Sequence, residues 1–94
     1  MPLKSKNYEL LTTRQRRLLR EAYVASQGGK CCYCQHPLDE APCRRVSTAR
    51  ITWELFPDGF QNHPVHLHHN HATGMTIGAV HMRCNAYVWQ HEGK

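Results

Sequence analysis

Two different periods run along this chain. From Leu11 onward, Leu11, Leu18, Leu19 and Ala22, with Gln15 among them, gather near one face at helical spacing, while Arg14, Arg16, Arg17 and Arg20 take much of the remaining surface. Thr12 and Gln15 form a capping-box pair, the threonine hydroxyl accepting from the backbone three residues on and the glutamine reaching back. Gly28-Gly29 supplies a left-handed stop that other residues resist. Together these signals predict a helix over Thr13–Ser26. The period changes to two at residues 65–71, where Val65 and Leu67 alternate with His66 and His68. Ala72-Thr73-Gly74 then reads as a turn, and residues 75–80 as a returning strand. Elsewhere the pattern is weaker. Residues 51–56 read as a short strand closed by a Pro57-Asp58-Gly59 turn, 39–49 as loop, and 85–91 as a short final helix. The polar and basic residues 1–7 are expected to be poorly ordered. No repeat or linker divides the chain, so the expectation is one α+β domain over residues 1–94, with an N-terminal helix, a β-hairpin and a short C-terminal helix.

Composition changes this picture in one respect. Leu, Ile, Val and Phe make up fewer than one residue in five of the 94, and the formal net charge is +5. An apolar core of that size is too thin to hold the fold alone. With 5 Cys and 8 His in so short a chain, the missing staple is expected to be a metal. No apolar run approaches the roughly 18 residues of a membrane helix, so no membrane partner is expected. No leader resembles a signal peptide, and the odd cysteine count therefore reads as thiolate ligands in a reducing, cytoplasmic setting, not as a disulfide framework.

Cys31-x-x-Cys34 and His81-x-x-Cys84 are two ligand pairs at knuckle spacing, which lets each turn aim both side chains at one ion. They are the expected ligands of a structural Zn²⁺. Cys32, Cys43 and His36 are rivals for a place in that site. Cys32 would point away from an ion shared by Cys31 and Cys34, Cys43 has no partner at knuckle spacing, and His36 suits a supporting position behind the ligands. A closed four-ligand site stabilises and does no chemistry, so any activity must lie elsewhere.

His66-Leu67-His68-His69-Asn70-His71 is the most informative segment. Each buried imidazole nitrogen left unpaired costs on the order of 1–3 kcal/mol, so four histidines in six strand positions need partners. A nonspecific metal-binding tract is the plainer alternative, and the hairpin context argues against it. Taken in order, His68-His69-Asn70-His71-Ala72-Thr73-Gly74, then Gly78-Ala79-Val80, then His81-x-x-Cys84-Asn85 resemble the HNH, or ββα-metal, nucleases. The similarity is greatest to the branch typified by recombination endonuclease VII and small phage HNH proteins, and it spans residues 31–89.

That resemblance implies a zinc-stapled ββα-metal fold and a metal-dependent DNA endonuclease or nickase leaving a 5′ phosphate and a 3′ hydroxyl. It implies that His69 is the general base, a task suited to neutral imidazole. It makes His68 and Asn85 the ligands of a catalytic Mg²⁺, Mn²⁺ or similar divalent ion, and His71, with His66, contacts to the scissile phosphate. Adjacent strand residues face opposite ways, so the His68-His69 pair requires a twist or bulge at that point. It also implies DNA as partner and a phage-infected bacterial cytoplasm as setting, and leaves a homodimer open. The chain departs from the family pattern at four places. His68 replaces an Asp, His81 a zinc cysteine and Ile77 an Arg, while Val88 stands where a helix carboxylate is common. His68 in particular should weaken the site for hard Mg²⁺.

The basic residues Arg14, Arg16, Arg17 and Arg20, and a second group of Arg44 and Arg45 near Arg50, are expected to neutralise phosphates, with a solvated helix face carrying an Arg17–Glu21 pair as the alternative. Trp53, Tyr87 and Trp89 read as core. The competing function is a zinc-stapled nucleic-acid-binding module without catalysis, which needs neither the histidine run nor Asn85. A zinc deaminase is set aside because the chain lacks the His-x-Glu and Pro-Cys-x-x-Cys pattern.

Overall fold

The computed structural model describes residues 3–93. Helix α1 spans Thr13–Ser26, as its end signals predict. The Thr12 hydroxyl accepts from the Gln15 backbone amide at 3.1 Å and Gln15 Oε1 accepts from the Thr12 backbone amide at 2.8 Å. Gly28 and Gly29, at φ 66° and 76°, turn the chain out of the helix. The stripe that faces inward differs from the expected one. Tyr23 is buried and Leu19 and Val24 pack against the core, whereas Leu18 is 47% exposed. Only one narrow stripe meets the hairpin, and Leu18 lies outside it.

The expected hairpin is present. Strand β1, Val65–His69, pairs antiparallel with strand β2, Thr76–His81, and helix α3, Met82–Glu92, follows β2 directly. The chain is therefore α+β, with the N-terminal helix, hairpin and C-terminal helix of the sequence expectation. Between the strands, Asn70 Oδ1 accepts from the amides of Ala72 and Thr73, and Gly74 at φ 78° completes the turn. The strand register shifts between His68 and His69: His68 pairs with Gly78, but His69 pairs with Thr76, so Ile77 is passed over. This is the bulge that the adjacent histidines require.

Three expectations are corrected. Residues 51–56 form no strand; Trp53–Leu55 is a single 3₁₀ turn, because Trp53 and Phe56 pack as an aromatic cluster instead of pairing with a strand. The stretch 39–49, expected to be loop, contains a short helix, α2, over Arg44–Ser47, which buries Val46 completely. The third concerns residues 1–7. Met1 and Pro2 lie outside the described residues, but from Ser5 the chain runs along the open side of β2. Thr76 N donates to Lys6 O, Lys6 N donates to the Thr76 hydroxyl, Ser5 Oγ donates to Thr76 O and Tyr8 N donates to Gly74 O. These hydrogen bonds order a polar segment that has no apolar signal of its own.

The core is small, as composition implied: Tyr23, Leu38, Val46, Leu67, Ala79 and Val80 with Cys31 and Cys84. The Gln27 side chain acts as a surrogate strand beside β2, donating to Ala79 O and accepting from Ala79 N, both at 2.9 Å. Cys32 N donates to the same carbonyl. This crowding explains Gly78, where a Cβ would come within 2.7 Å of Gln27 Oε1 and 3.0 Å of Cys32 Sγ. Among the described residues no helix is long and apolar enough to cross a membrane.

Candidate functional site

Two sites flank the hairpin. The first is where α1 hands over to the knuckle and β2 hands over to α3. Cys31, Cys34, His81 and Cys84 meet there, with all four ligand atoms within 4.8 Å of one another. Two carbonyl groups fix the tautomer of the His81 ring. Its Nε2 lies 2.9 Å from the carbonyl oxygens of Pro37 and Glu40, which can only accept, so Nε2 carries the proton and Nδ1 keeps its lone pair. Nδ1 lies 3.5 Å from Cys34 Sγ and 3.6 Å from Cys84 Sγ. A tetrahedral zinc with bonds of about 2.3 Å to sulfur and about 2.0–2.1 Å to nitrogen gives a sulfur–nitrogen edge of about 3.5–3.6 Å. The donor set and its spacing thus fit zinc.

The Tyr33 and Cys34 amides point at Cys31 Sγ, as knuckle amides do. The side-chain contact with Cys84, ahead of the knuckle amides, holds the Cys31 thiol well below its ordinary value. Cys32, Cys43 and His36 do not join the group. Cys32 packs against Gly78, with burial pushing its thiol up. Cys43 precedes α2, and the His36 side chain is exposed.

The second site is an open cleft of about 530 Å³ on the other side of β1. Strand β1 contributes His66 and His69, α3 contributes Asn85 and Trp89, α1 contributes Arg16 and Arg20, and residues 55–63 form the remaining wall. His71, just past β1, also lines it. None of the lining residues is Asp or Glu. Asn85 Nδ2 donates to His66 Nδ1 at 3.1 Å. His68, the predicted metal ligand, does not itself line the cleft; it is half-buried near Asn85, and its Nδ1 has no hydrogen-bond partner among the described residues. Burial lowers the pKa of both His66 and His68, favouring neutral rings that offer a lone pair.

Past the bulge, His69 is held differently. Its ring stacks on Tyr8 with centroids 4.0 Å apart and planes 8° apart, and lies 4.6 Å from the His71 ring. Arg16 covers the Tyr8 ring at 3.8 Å and donates to the Tyr8 carbonyl from Nε and Nη2. Partial burial, then the neighbouring His71 and His68, lower the His69 pKa.

The predicted basic face divides. Arg16 and Arg20 line the cleft, whereas Arg14 and Arg17 are exposed outside it. Arg44 and Arg45 lie on α2 away from the cleft, and Arg45 sits 5.4 Å from each of the Tyr33 and Tyr87 rings. Sequence reasoning missed Tyr8, Phe60 and His63. Tyr8 carries no local signal, because its role depends on the N-terminal segment pairing with β2. Phe60 and His63 follow the Pro57-Asp58-Gly59 turn that was recognised, and an aromatic and an imidazole so close to a turn were the available clue. Trp89, expected in the core, is 43% exposed at the cleft rim. Compared with known family models, characterised proteins and solved structures, the chain matches none of them.

Proposed function

We propose that this protein is a metal-dependent DNA endonuclease or nickase of the HNH type, with zinc as its structural ion. The observation that carries the reading is the bulge between His68 and His69, together with what each histidine meets on either side of it. Before the bulge, His66 and His68 stand with Asn85, and His68 keeps an unused buried nitrogen. A buried nitrogen without a partner is costly, and in the tautomer that leaves Nδ1 unprotonated an ion would occupy it. After the bulge, His69 turns into a cationic cleft clamped by Tyr8.

His68 and Asn85 would hold a divalent ion, with His66 as a neighbouring imidazole. When bound, such an ion supplies Lewis-acid stabilisation of the charge that develops on the phosphate and the departing 3′ oxygen. The donors are neutral nitrogens and an amide oxygen, which favours Mn²⁺ and other borderline ions over Mg²⁺. His69 takes a proton from the attacking water. Its lowered pKa keeps the ring neutral, hence able to accept, at pH 7. Arg16, Arg20 and His71 face the phosphate, and no carboxylate among the lining residues opposes them.

The test is cleavage of supercoiled plasmid with Mn²⁺ or Mg²⁺, comparing the wild type with His69→Ala. Ion-dependent nicking or linearisation that His69→Ala abolishes supports the reading. DNA binding without cleavage under every ion would leave the zinc-stapled binding module instead.

A further inference from the structure

The lining of the cleft combines two unlike chemistries, the cations Arg16 and Arg20 and the aromatic rings of Phe56, Phe60 and Trp89. Phe56 lies 4.7 Å from Phe60 with planes 39° apart and meets Trp89 edge-to-face at 5.1 Å, so the rings form one angular cluster. Its rim is open, with Trp89 43% and Leu55 58% exposed, which makes Trp89 the ring available for stacking. The cluster also abuts the histidines, since Phe60 meets the His66 ring edge-on at 4.6 Å and His66 bonds to Asn85.

An occupant suited to this lining carries both an apolar ring and an anion. At about 530 Å³ the cleft has room for one small molecule. A nucleotide carries both groups. A base inside a duplex is stacked on both faces and cannot stack on Trp89, whereas an unpaired base can. We infer that the cleft receives one unstacked nucleotide, its base on the exposed Trp89 ring and its phosphate towards Arg16 and Arg20, so that the protein selects single-stranded or locally unpaired DNA. The inference rests on the proposed nuclease reading for what happens to that phosphate, but not for the binding itself.

The experiment therefore measures binding without cleavage. The zinc-loaded protein, with no other divalent ion added, is titrated into a 12-nucleotide DNA carrying a central 2-aminopurine, as a single strand and as a blunt duplex, at one fixed salt concentration. The single strand should bind at least about fivefold more tightly than the duplex, with its fluorescence quenched as the base stacks. Trp89→Leu should weaken the single strand by about 5- to 100-fold and leave the duplex within about twofold, while Trp89→Phe, which keeps an aromatic face, retains most of the affinity. Equal or tighter binding of the duplex, or an unchanged single-strand affinity in Trp89→Leu, overturns the inference. Circular dichroism checks that the variants fold. If Trp89→Leu does not, the wild-type comparison and Leu55→Ala at the exposed rim decide. A protein that prefers single strands but never cuts plasmid keeps this inference and loses the nuclease reading; one that cuts but prefers duplex does the reverse.

Discussion

His81 and His68 are two histidines on opposite strands of one hairpin, and they differ in a single respect that separates the two ends of the molecule. Every nitrogen of His81 has a use. Nε2 is held by the Pro37 and Glu40 carbonyls, and Nδ1 faces the sulfurs of Cys34 and Cys84. His68 has a buried Nδ1 with no partner among the described residues. The first arrangement is closed: four ligands, a fixed tautomer and carbonyl acceptors behind them, fitted to stabilise and to do nothing more. The second leaves one buried nitrogen without a partner among the described residues, which costs stability. A residue type therefore says little by itself, and what its second nitrogen meets decides its role.

The sharpest way to break this comparison is to damage each end in turn. Cys84→Ser should unfold the domain, because zinc in small sites contributes about 10–16 kcal/mol of apparent binding energy and the apolar core is too small to replace it. The far-ultraviolet circular-dichroism signal should collapse, and chelation of zinc from the wild type should do the same. A folded, metal-free Cys84→Ser protein would show that the closed end is not the staple. Damage at the cleft should leave the fold intact. His69→Ala should lower turnover by about 10²–10⁴ while DNA affinity and the thermal midpoint stay near wild type.

How much of this contrast could be read from the chain follows from the range of the interactions involved. The boundaries of α1 were legible because Thr12, Gln15 and Gly28 act within one turn of the helix ends they define. The quartet of Cys31, Cys34, His81 and Cys84 was legible because each pair lies within a knuckle, and only the meeting of the pairs needed the fold. The bulge was expected from the adjacency of His68 and His69, although nothing local marked Ile77 as the residue passed over. The Tyr8 clamp was not legible at all. Its segment is polar, and what orders it are backbone hydrogen bonds to Thr76 and Gly74, far along the chain. Residues 51–56 depart from the expected strand for a related reason. Trp53 and Phe56 have strand-like propensity, but here they close a cluster with Trp89 on α3, and tertiary packing won over local preference.

Two predictions sharpen the comparison at the open end. His68→Asp restores a carboxylate beside Asn85 and should move the ion ranking towards Mg²⁺, whereas the wild type should work best with Mn²⁺, Co²⁺ or Ni²⁺. Cleavage titrated against each ion at fixed salt reads the ranking, and an unchanged order would place the ion on other residues. The pH profile follows from the His69 environment. Burial, then His71 and His68, lower its pKa, so the neutral base should persist as pH falls below the ordinary imidazole value of about 6.5. The acid limb of turnover should accordingly lie below about 6.5, with activity lost as the pH drops through the folded-state value. A limb above 6.5 would mean that the base is a different group or an unburied one.

The smallest effect expected is also the one specific to this fold. If His69 must be neutral and also oriented, Tyr8 is what orients it: the rings lie nearly parallel, and Arg16 locks Tyr8 from the other face and through its carbonyl. Aromatic pairs of this kind are worth about 0.5–1.5 kcal/mol, so Tyr8→Ala should lower turnover by about 2- to 12-fold. Tyr8→Phe should stay near wild type, since it keeps the ring and the backbone carbonyl that Arg16 uses. A general loss of stability would also lower turnover, so the discriminating measurement is the His69 ring itself. Its proton resonances, shifted upfield by the stacked tyrosine, should return towards ordinary positions in Tyr8→Ala and remain shifted in Tyr8→Phe. Should Tyr8→Ala instead cut at the wild-type rate with the resonances moved, His69 would be oriented by its neighbours on the hairpin. The N-terminal segment would then only cover the edge of β2, leaving both ends of the molecule organised by the hairpin alone.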